Sequence, residues 1–429
     1  MRQHRTKIVR CCLSKGSGIM QALKFNVYDE FSCTGPECGD SCCKHWRIFL
    51  TKREYLDYKK LDCSPKLRAV IDSAFKRTKY DSDDQYAAME LKEDGNCPFL
   101  GEDRLCMLQK EKGEGALTIV CSGFPRNWIR IGNEDAAVFI LTPTCCHVVE
   151  LLMKHPEGLA LIEEEYDGKN KWISKNKWTG VLSPESPVYP HIWSIKTAQL
   201  DILQNRDFSI SERLLILGYY TQKVCGYLDG SPEKIAQLGK MMLDKELCEK
   251  LAQSLKPSQP EAQLTARSAE ILFKLTECEN RGEPGGHLTE LVNTMADSVE
   301  LTYRLNDEGT FEYHFNPGKY AENLAVYRRI EEQRPYITEN LLVSLAFGRF
   351  SGSGEELWAD YFSLALMYSF LKTGAAAFLS EGWGDKELAI AINNIVKLIV
   401  NANLAKNVTL RDFAEKGMNS LSHVAFLIG

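Results

Sequence analysis

The chain has 429 residues, 44% of them hydrophobic, 26% charged and 10% aromatic, which excludes a disordered, fibrous or membrane-embedded protein and leaves a globular one with room for several domains. Lys and Arg number 52 against 58 Asp and Glu, a formal charge of −6, so there is no global basic field of the kind a general nucleic-acid binder uses. The outlying number is 15 cysteines, 12 of which precede residue 150.

Residues 1–19 carry Arg2, Arg5, Lys7, Arg10 and Lys15 with no acid, and lack an apolar run of the ~7–15 residues that an export signal needs. They are expected to be a disordered basic leader, and the protein to be cytoplasmic with reduced thiols. From 24 to about 147 the sequence is short-period and rich in Cys and Gly, so little helix is expected. The exception is residues 64–89, where Leu67, Val70, Ile71 and Phe75 fall near helical spacing. Residues 127–141 read as a hairpin, with Trp128, Ile129 and Ile131 before the turn GNED (132–135) and Val138, Phe139 and Ile140 after it.

A Pro- and Trp-bearing stretch at 172–190 then changes the composition. Ser209 and Glu212 form a capping-box pattern ahead of LLILGYYTQKV (214–224), a helix start. Helical patterns follow at 232–255, 261–280, 287–304 and 318–333, with an irregular excursion at 302–318. The strongest are 339–350, 356–379 and 386–404. The most apolar stretch, 388–400, is broken by Asn393, Asn394 and Lys397, so no membrane helix is expected. The expected fold is mainly α: a leader (1–19), a cysteine-rich, loop-rich N-terminal domain containing a small β-hairpin (20–150), a linker region (151–190) and a helical domain (191–429).

The cysteine spacing is Cys33-x4-Cys38-x3-Cys42-Cys43, then Cys97-x8-Cys106, Cys121 and Cys145-Cys146. Short spacings supply thiolate pairs at little loop-closure cost, and adjacent Cys42 and Cys43 argue against a simple disulfide framework. Cys33, Cys38, Cys42, Cys43, Cys97, Cys106, Cys121 and Cys145 are therefore expected to converge on one metal centre or two neighbouring ones. Cys11, Cys12 and Cys63 lack partners, and Cys225, Cys248 and Cys278 sit on helical patterns, so these six are expected to be structural. No C-x2-C knuckle and no H-E-x-x-H motif is present, and all-cysteine ligation suits an iron–sulfur cluster as well as zinc. The radical pattern C-x3-C-x2-C is absent, because Cys42 is followed directly by Cys43.

FSCTGPECGDSCCKHWRIFLTKREYLDY (31–58), CPFL (97–100), LCMLQ (105–109), CSGFPR (121–126) and Cys145 together resemble the flagellin lysine-N-methylase family and its relatives with a zinc- or iron-chelating cysteine domain. SERLLILG (211–218) and ENLLVSLAF (339–347) extend the likeness to the end of the chain. The resemblance implies methyl transfer from S-adenosyl-L-methionine to lysine ε-amines of flagellin, by an enzyme with an iron–sulfur cluster (4Fe-4S), zinc being the alternative. It implies a protein substrate, while the charge balance and the broken apolar stretches lead to the expectation of no nucleic-acid and no membrane partner. The basic leader before Met20 and the pair Cys146-His147 depart from the family pattern.

His45, beside the double cysteine, is a candidate ligand or acid/base group, and Arg126 a candidate partner for a cofactor carboxylate or an anionic cluster. A Gly-rich Rossmann turn for the methyl donor is missing: SGSG (351–354) and GEPGG (282–286) read as linkers. Trp358, Tyr361, Phe362, Tyr368 and Phe370 lie at helical spacing and are expected to be core. The competing readings are a non-catalytic zinc- or iron-binding protein and a redox sensor using Cys42 and Cys43. The long helical segment disfavours the first, and the lack of C-x-x-C the second.

Overall fold

A computed structural model describes residues 20–44, 46, 48–80, 82–132, 136–166, 180–257, 287–305, 307, 311–380, 382–401 and 420–428. The expected leader, the helix at 261–280 and the turn residues 133–135 lie outside them. The fold is mainly α, with strands concentrated in the first half.

A five-stranded mixed sheet organises that half. Its strands are β1 (Met20–Phe25), β5 (Arg126–Ile131), β6 (Ala136–Leu141), β7 (Leu161–Tyr166) and β8 (Gly180–Leu182), in the order β7-β1-β6-β5-β8. The hairpin expected at 127–141 is the antiparallel pair β5–β6, in register from Arg126 opposite Leu141 to Ile131 opposite Ala136. β6 is buried at every position, as an uninterrupted apolar run requires when both faces of a strand are covered. Residues 151–190 supply both edge strands. β7 pairs with β1 through the acidic segment LIEEEY, where Glu164 Oε1 accepts from the buried Lys24 Nζ at 2.7 Å.

Between β1 and β5 the chain builds a smaller unit. α1 (Val27–Glu30) packs against β6, and the short helices α2 (Lys52–Lys60), α3 (Pro65–Ala74), α4 (Met107–Lys112) and α5 (Ile119–Gly123) accompany a three-stranded sheet, β2 (Phe49–Leu50), β4 (Ala87–Met89) and β3 (Phe75–Arg77). The helix expected over 64–89 stops at Ala74, because the following residues pair as β3 with β4. α2 went unread, although its capping box is present: Thr51 Oγ1 accepts from the Glu54 amide, and Glu54 Oε2 accepts from the Thr51 amide at 2.9 Å. Leu50, Leu67, Ile71, Phe75 and Phe99 form a core of their own here.

The main core runs from β1 through the remainder of the chain. α6 (Cys146–Leu152) leaves the sheet, followed by α7 (Ile192–Leu203), α8 (Ile210–Cys225), α9 (Pro232–Met241), α10 (Lys245–Leu255) and α11 (His287–Ser298). The capping box expected at Ser209 and Glu212 starts α8. The excursion at 302–318 is a hairpin, β9 (Thr302–Leu305) with β10 (Phe311–His314). Then come α12 (Pro317–Gln333), α13 (Tyr336–Phe347), α14 (Gly354–Gly374), α15 (Asp385–Asn401) and α16 (Leu421–Ile428).

α14 is buried on nearly all sides by α8, α12, α15 and α16, so it shows no amphipathic stripe. Tyr361, Phe362, Tyr368 and Phe370 are core, as their spacing implies. α8 approaches α14 so closely that a Cβ on Gly218 would sit 2.2 Å from Tyr361 Oη. The helices reach the sheet through α13 and β6, with Phe347 and Phe25 rings 4.6 Å apart. Among the described residues no helix is long and apolar enough to cross a membrane.

Candidate functional site

All eight cysteines expected to converge line one cavity of about 530 Å³ at the junction of the small unit, the five-stranded sheet and the helices. Cys33 and Cys38 lie on the loop after α1, and Cys42 and Cys43 on the turn that follows it. The loop over 97–106 lies against this segment: the Cys97 amide donates to Cys43 O at 2.8 Å, and Arg104 Nη2 donates to Cys38 O at 3.0 Å. Cys106 caps the start of α4, Cys121 sits in α5, and Cys145 caps the start of α6. The Thr118 side chain fixes α5 by accepting from the Cys121 amide at 3.0 Å.

The thiols are electrostatically unequal. Cys97 Sγ donates to Met89 Sδ at 3.4 Å, and the neighbouring Cys42 and Cys97 thiols hold the Cys43 thiol well below its ordinary range. Burial pushes Cys121 and Cys145 up to about 12, because a thiolate loses its hydration there, and a bound cation would reverse that preference. In donor type and number the lining fits a soft metal: sulfur predominates, and the ring of His147 is engaged with Glu150, Nδ1 to Oε2 at 2.7 Å. The arrangement is open, however. Among the described residues no group of three or more His, Cys, Asp or Glu side chains is drawn together as a metal site.

The cysteines expected to be structural behave differently. Cys225 Sγ donates to Gly354 O at 3.2 Å, Cys248 Sγ donates to Met242 O at 3.3 Å, and Cys63 packs against the small core. Cys11, Cys12 and Cys278 fall outside the described residues, as does His45.

Arg126 begins β5 and stands at the cavity wall, where Nη2 donates to Phe31 O at 3.1 Å and the guanidinium lies 4.8 Å from the Phe31 ring centroid. Trp46 and Phe124, with ring centroids 4.9 Å apart, complete that wall.

Sequence reasoning missed how the last helices hold the thiol loop. A Cβ on Gly39 would meet Ile390 Cγ1 of α15 at 3.1 Å and Cys146 Sγ at 3.3 Å. Lys397 forms an ion pair with Asp40, Lys386 Nζ donates to Glu37 O at 3.4 Å, and the fully buried Asn393 donates from Nδ2 to Pro143 O at 2.9 Å. Asn340 of α13 ties down the far end of α6 by donating to Leu152 O at 2.9 Å and His155 O at 2.8 Å. The signal was in the sequence: Asn393 and Lys397 interrupt an otherwise apolar helix, which has a reason to carry them only if they meet polar partners.

The helices that hold the loop lie within residues 197–427, which match the model of the FliB lysine N-methylase C-terminal domain. The chain belongs to the FliB lysine N-methylase family. That is a family of protein-lysine N-methyltransferases. Its similarity to the flagellar biosynthetic protein FliU of Salmonella muenchen is 34% identity over 140 residues, 32% of this chain and 79% of that protein. The lysine-N-methylases of Salmonella typhimurium (strain LT2) and Salmonella choleraesuis (strain SC-B67) are each 34% identical over 139 residues, 32% of this chain. The chain spans about a third of the length of those two lysine N-methylases, 33% in each case. No solved structure matches it. In this lysine N-methylase family member the helical half that the family model matches and the thiol loop outside that range meet along α15.

Proposed function

We propose that the protein transfers methyl groups from S-adenosyl-L-methionine to lysine ε-amines of flagellin, and that its cysteines hold an iron–sulfur cluster. The observation that supports the reading most is the convergence of eight cysteines on one cavity in a member of a lysine N-methylase family. Cys38, Cys42, Cys43 and Cys97 are the first candidates for ligands, since the 97–106 loop is bonded to the 38–43 segment, and Cys33, Cys106, Cys121 and Cys145 are the remaining ones. A cluster bound there would tie the loops together and add its binding energy to the fold.

The reaction is a displacement. The amine lone pair forms a bond to the methyl carbon, the carbon–sulfur bond breaks with its electron pair leaving on sulfur, and S-adenosylhomocysteine departs. A lysine amine with pKa ~10.4 is almost wholly protonated at neutral pH, so the site must also remove a proton. An apolar wall such as Trp46 and Phe124 favours the neutral amine by desolvation. Arg126 is suited to an anionic group at the cavity wall, a cofactor carboxylate or the cluster itself.

The test uses full-length protein purified without oxygen, assayed for iron and sulfide, and supplied with labelled S-adenosyl-L-methionine and flagellin. Label in flagellin lysines, lost on removal of the metal, is the expected result. Metal-replete protein that leaves flagellin unlabelled would overturn the reading.

A further inference from the structure

The wall formed by Trp46, Phe124 and Arg126 has a second face. Behind it opens a larger cavity, about 920 Å³, rimmed by α2 and floored by α5 and the start of β5. Leu56 stands at its mouth 44% exposed, while Trp128 beneath it is fully buried. Its rim carries both charge signs. Lys52 Nζ lies 3.6 Å from Asp83 Oδ1, and Arg53 Nε lies 3.8 Å from Asp57 Oδ2. All four side chains are at least half exposed, so these pairs contribute little to stability and can exchange partners with a ligand.

We propose that this second cavity, and not the thiol-lined one, binds the methyl donor. The inference rests on the methyl-transfer reading above and adds to it the place of the small-molecule substrate. Three features carry it. The volume falls within the ~300–1,000 Å³ of small-molecule sites, and its lining combines apolar and aromatic surface with a few polar groups, as such sites do. The rim suits an amino-acid zwitterion, whose carboxylate seeks Lys52, Arg53 or Lys60 and whose ammonium seeks Asp57 or Asp83, whereas a lysine side chain alone is served by acidic groups only. Finally, Trp46 offers an aromatic surface to a purine on the wall that both cavities share, which sets the donor beside the thiol centre without placing it among the thiols.

The experiment is titration calorimetry with S-adenosylhomocysteine on the full-length, metal-loaded protein and on two surface variants. Leu56→Trp fills the mouth by bulk, and Lys60→Glu reverses a basic charge. Both positions are solvent-facing on α2, so the fold is retained, and unchanged iron content checks this. The expected result is binding by the parent protein and an affinity about tenfold or more weaker in both variants, with weaker binding of S-adenosyl-L-methionine to match. Absence of binding by the parent protein, or equal affinity in all three, overturns the proposal. So does a raised KM for flagellin in Leu56→Trp with S-adenosylhomocysteine affinity unchanged, which would assign the cavity to the protein substrate. The two readings fail separately. Weakened binding in the variants of a protein that never labels flagellin leaves the donor site standing without the methyl-transfer reading; labelled flagellin with normal affinity in both variants does the reverse.

Discussion

The small unit between β1 and β5 and the helical half solve the same problem with different means. The helical half buries long apolar helices around α14, where Phe362, Phe370, Leu364 and Leu366 are essentially inaccessible, and pairs buried charge internally, Glu339 with Arg206 and Arg213. Among the described residues the small unit gathers twelve buried ones from strands of two or three residues, helices of ten or fewer and the loops between them, and fills its margin with Cys43, Cys63, Cys106 and Cys121. Elements this short make few contacts each, so the small unit lacks the apolar area that a self-sufficient core requires. The difference teaches where the proposed metal would matter: its binding energy would go to the unit that hydrocarbon alone does not complete.

The largest effect expected from that contrast follows loss of the proposed metal. Structural zinc sites in small peptides contribute ~10–16 kcal/mol to folding. Replacing Cys43 and Cys97 together by Ser is expected to abolish metal content and methyl transfer and to open residues 48–112 to limited proteolysis, with the helical half still resistant. Equal protease resistance of both halves after metal loss would break the comparison.

The converse substitution sharpens it. Phe362 is fully buried inside α14, and Phe362→Ala should cost about 3–5 kcal/mol through lost burial and the cavity left behind. Denaturant unfolding is expected to register that loss, with metal content per folded molecule unchanged. A parallel fall in bound metal would show that the two cores are one cooperative system.

Between these extremes lies the contact that joins the regions. Asn393→Leu leaves Pro143 O without its donor beside Cys145, and Lys397→Met leaves Asp40 without its cation, so each is expected to cost about 1–3 kcal/mol. The informative readout is the rate at which a chelator strips metal, which should rise in both variants. Exchanging the charges, Lys397→Asp with Asp40→Lys, should restore the slow rate if the ion pair positions the loop.

The same contrast explains what the sequence disclosed. Helical elements were legible where many residues shared one period, as in α8, α13, α14 and α15, and the β5–β6 hairpin was legible from a turn between two β-rich runs. The eight cysteines were singled out by composition and spacing, and they line one cavity. What escaped were elements whose formation depends on distant partners. β7 reads as acidic and exposed, and is a strand because β1 presents its backbone and Lys24 to it. The helix over 64–89 was cut at Ala74 by pairing with β4, a contact that no local pattern announces. The large cavity beside α2 combines residues from four separate segments, so its lining has no sequence signature at all.

The smallest effect expected concerns a charge inside the helical half. Lys196 of α7 is fully buried, donates from Nζ to Ala346 O at 2.7 Å and to Arg349 O, and lies 4.7 Å from the Phe350 ring centroid. These carbonyls close the end of α13, where a positive charge is favourable, and Asp360 adds to that. Burial nevertheless dominates and brings the ammonium down from 10.5 to about 7. Between those two values the unfolded chain holds a proton on Lys196 that the folded chain has released. Unfolding therefore takes up a proton, and stability contributed by this residue rises with pH from about 7 to about 10.5, by at most about 1.4 kcal/mol per pH unit. Lys196→Met removes the titration and leaves the two carbonyls unpaired, so its cost relative to the parent protein should grow from pH 7 to pH 8. Urea unfolding of both proteins at the two pH values measures this. A cost that stays constant would mean that Lys196 keeps its proton in the folded state, and that the carbonyls at the end of α13 outweigh its burial.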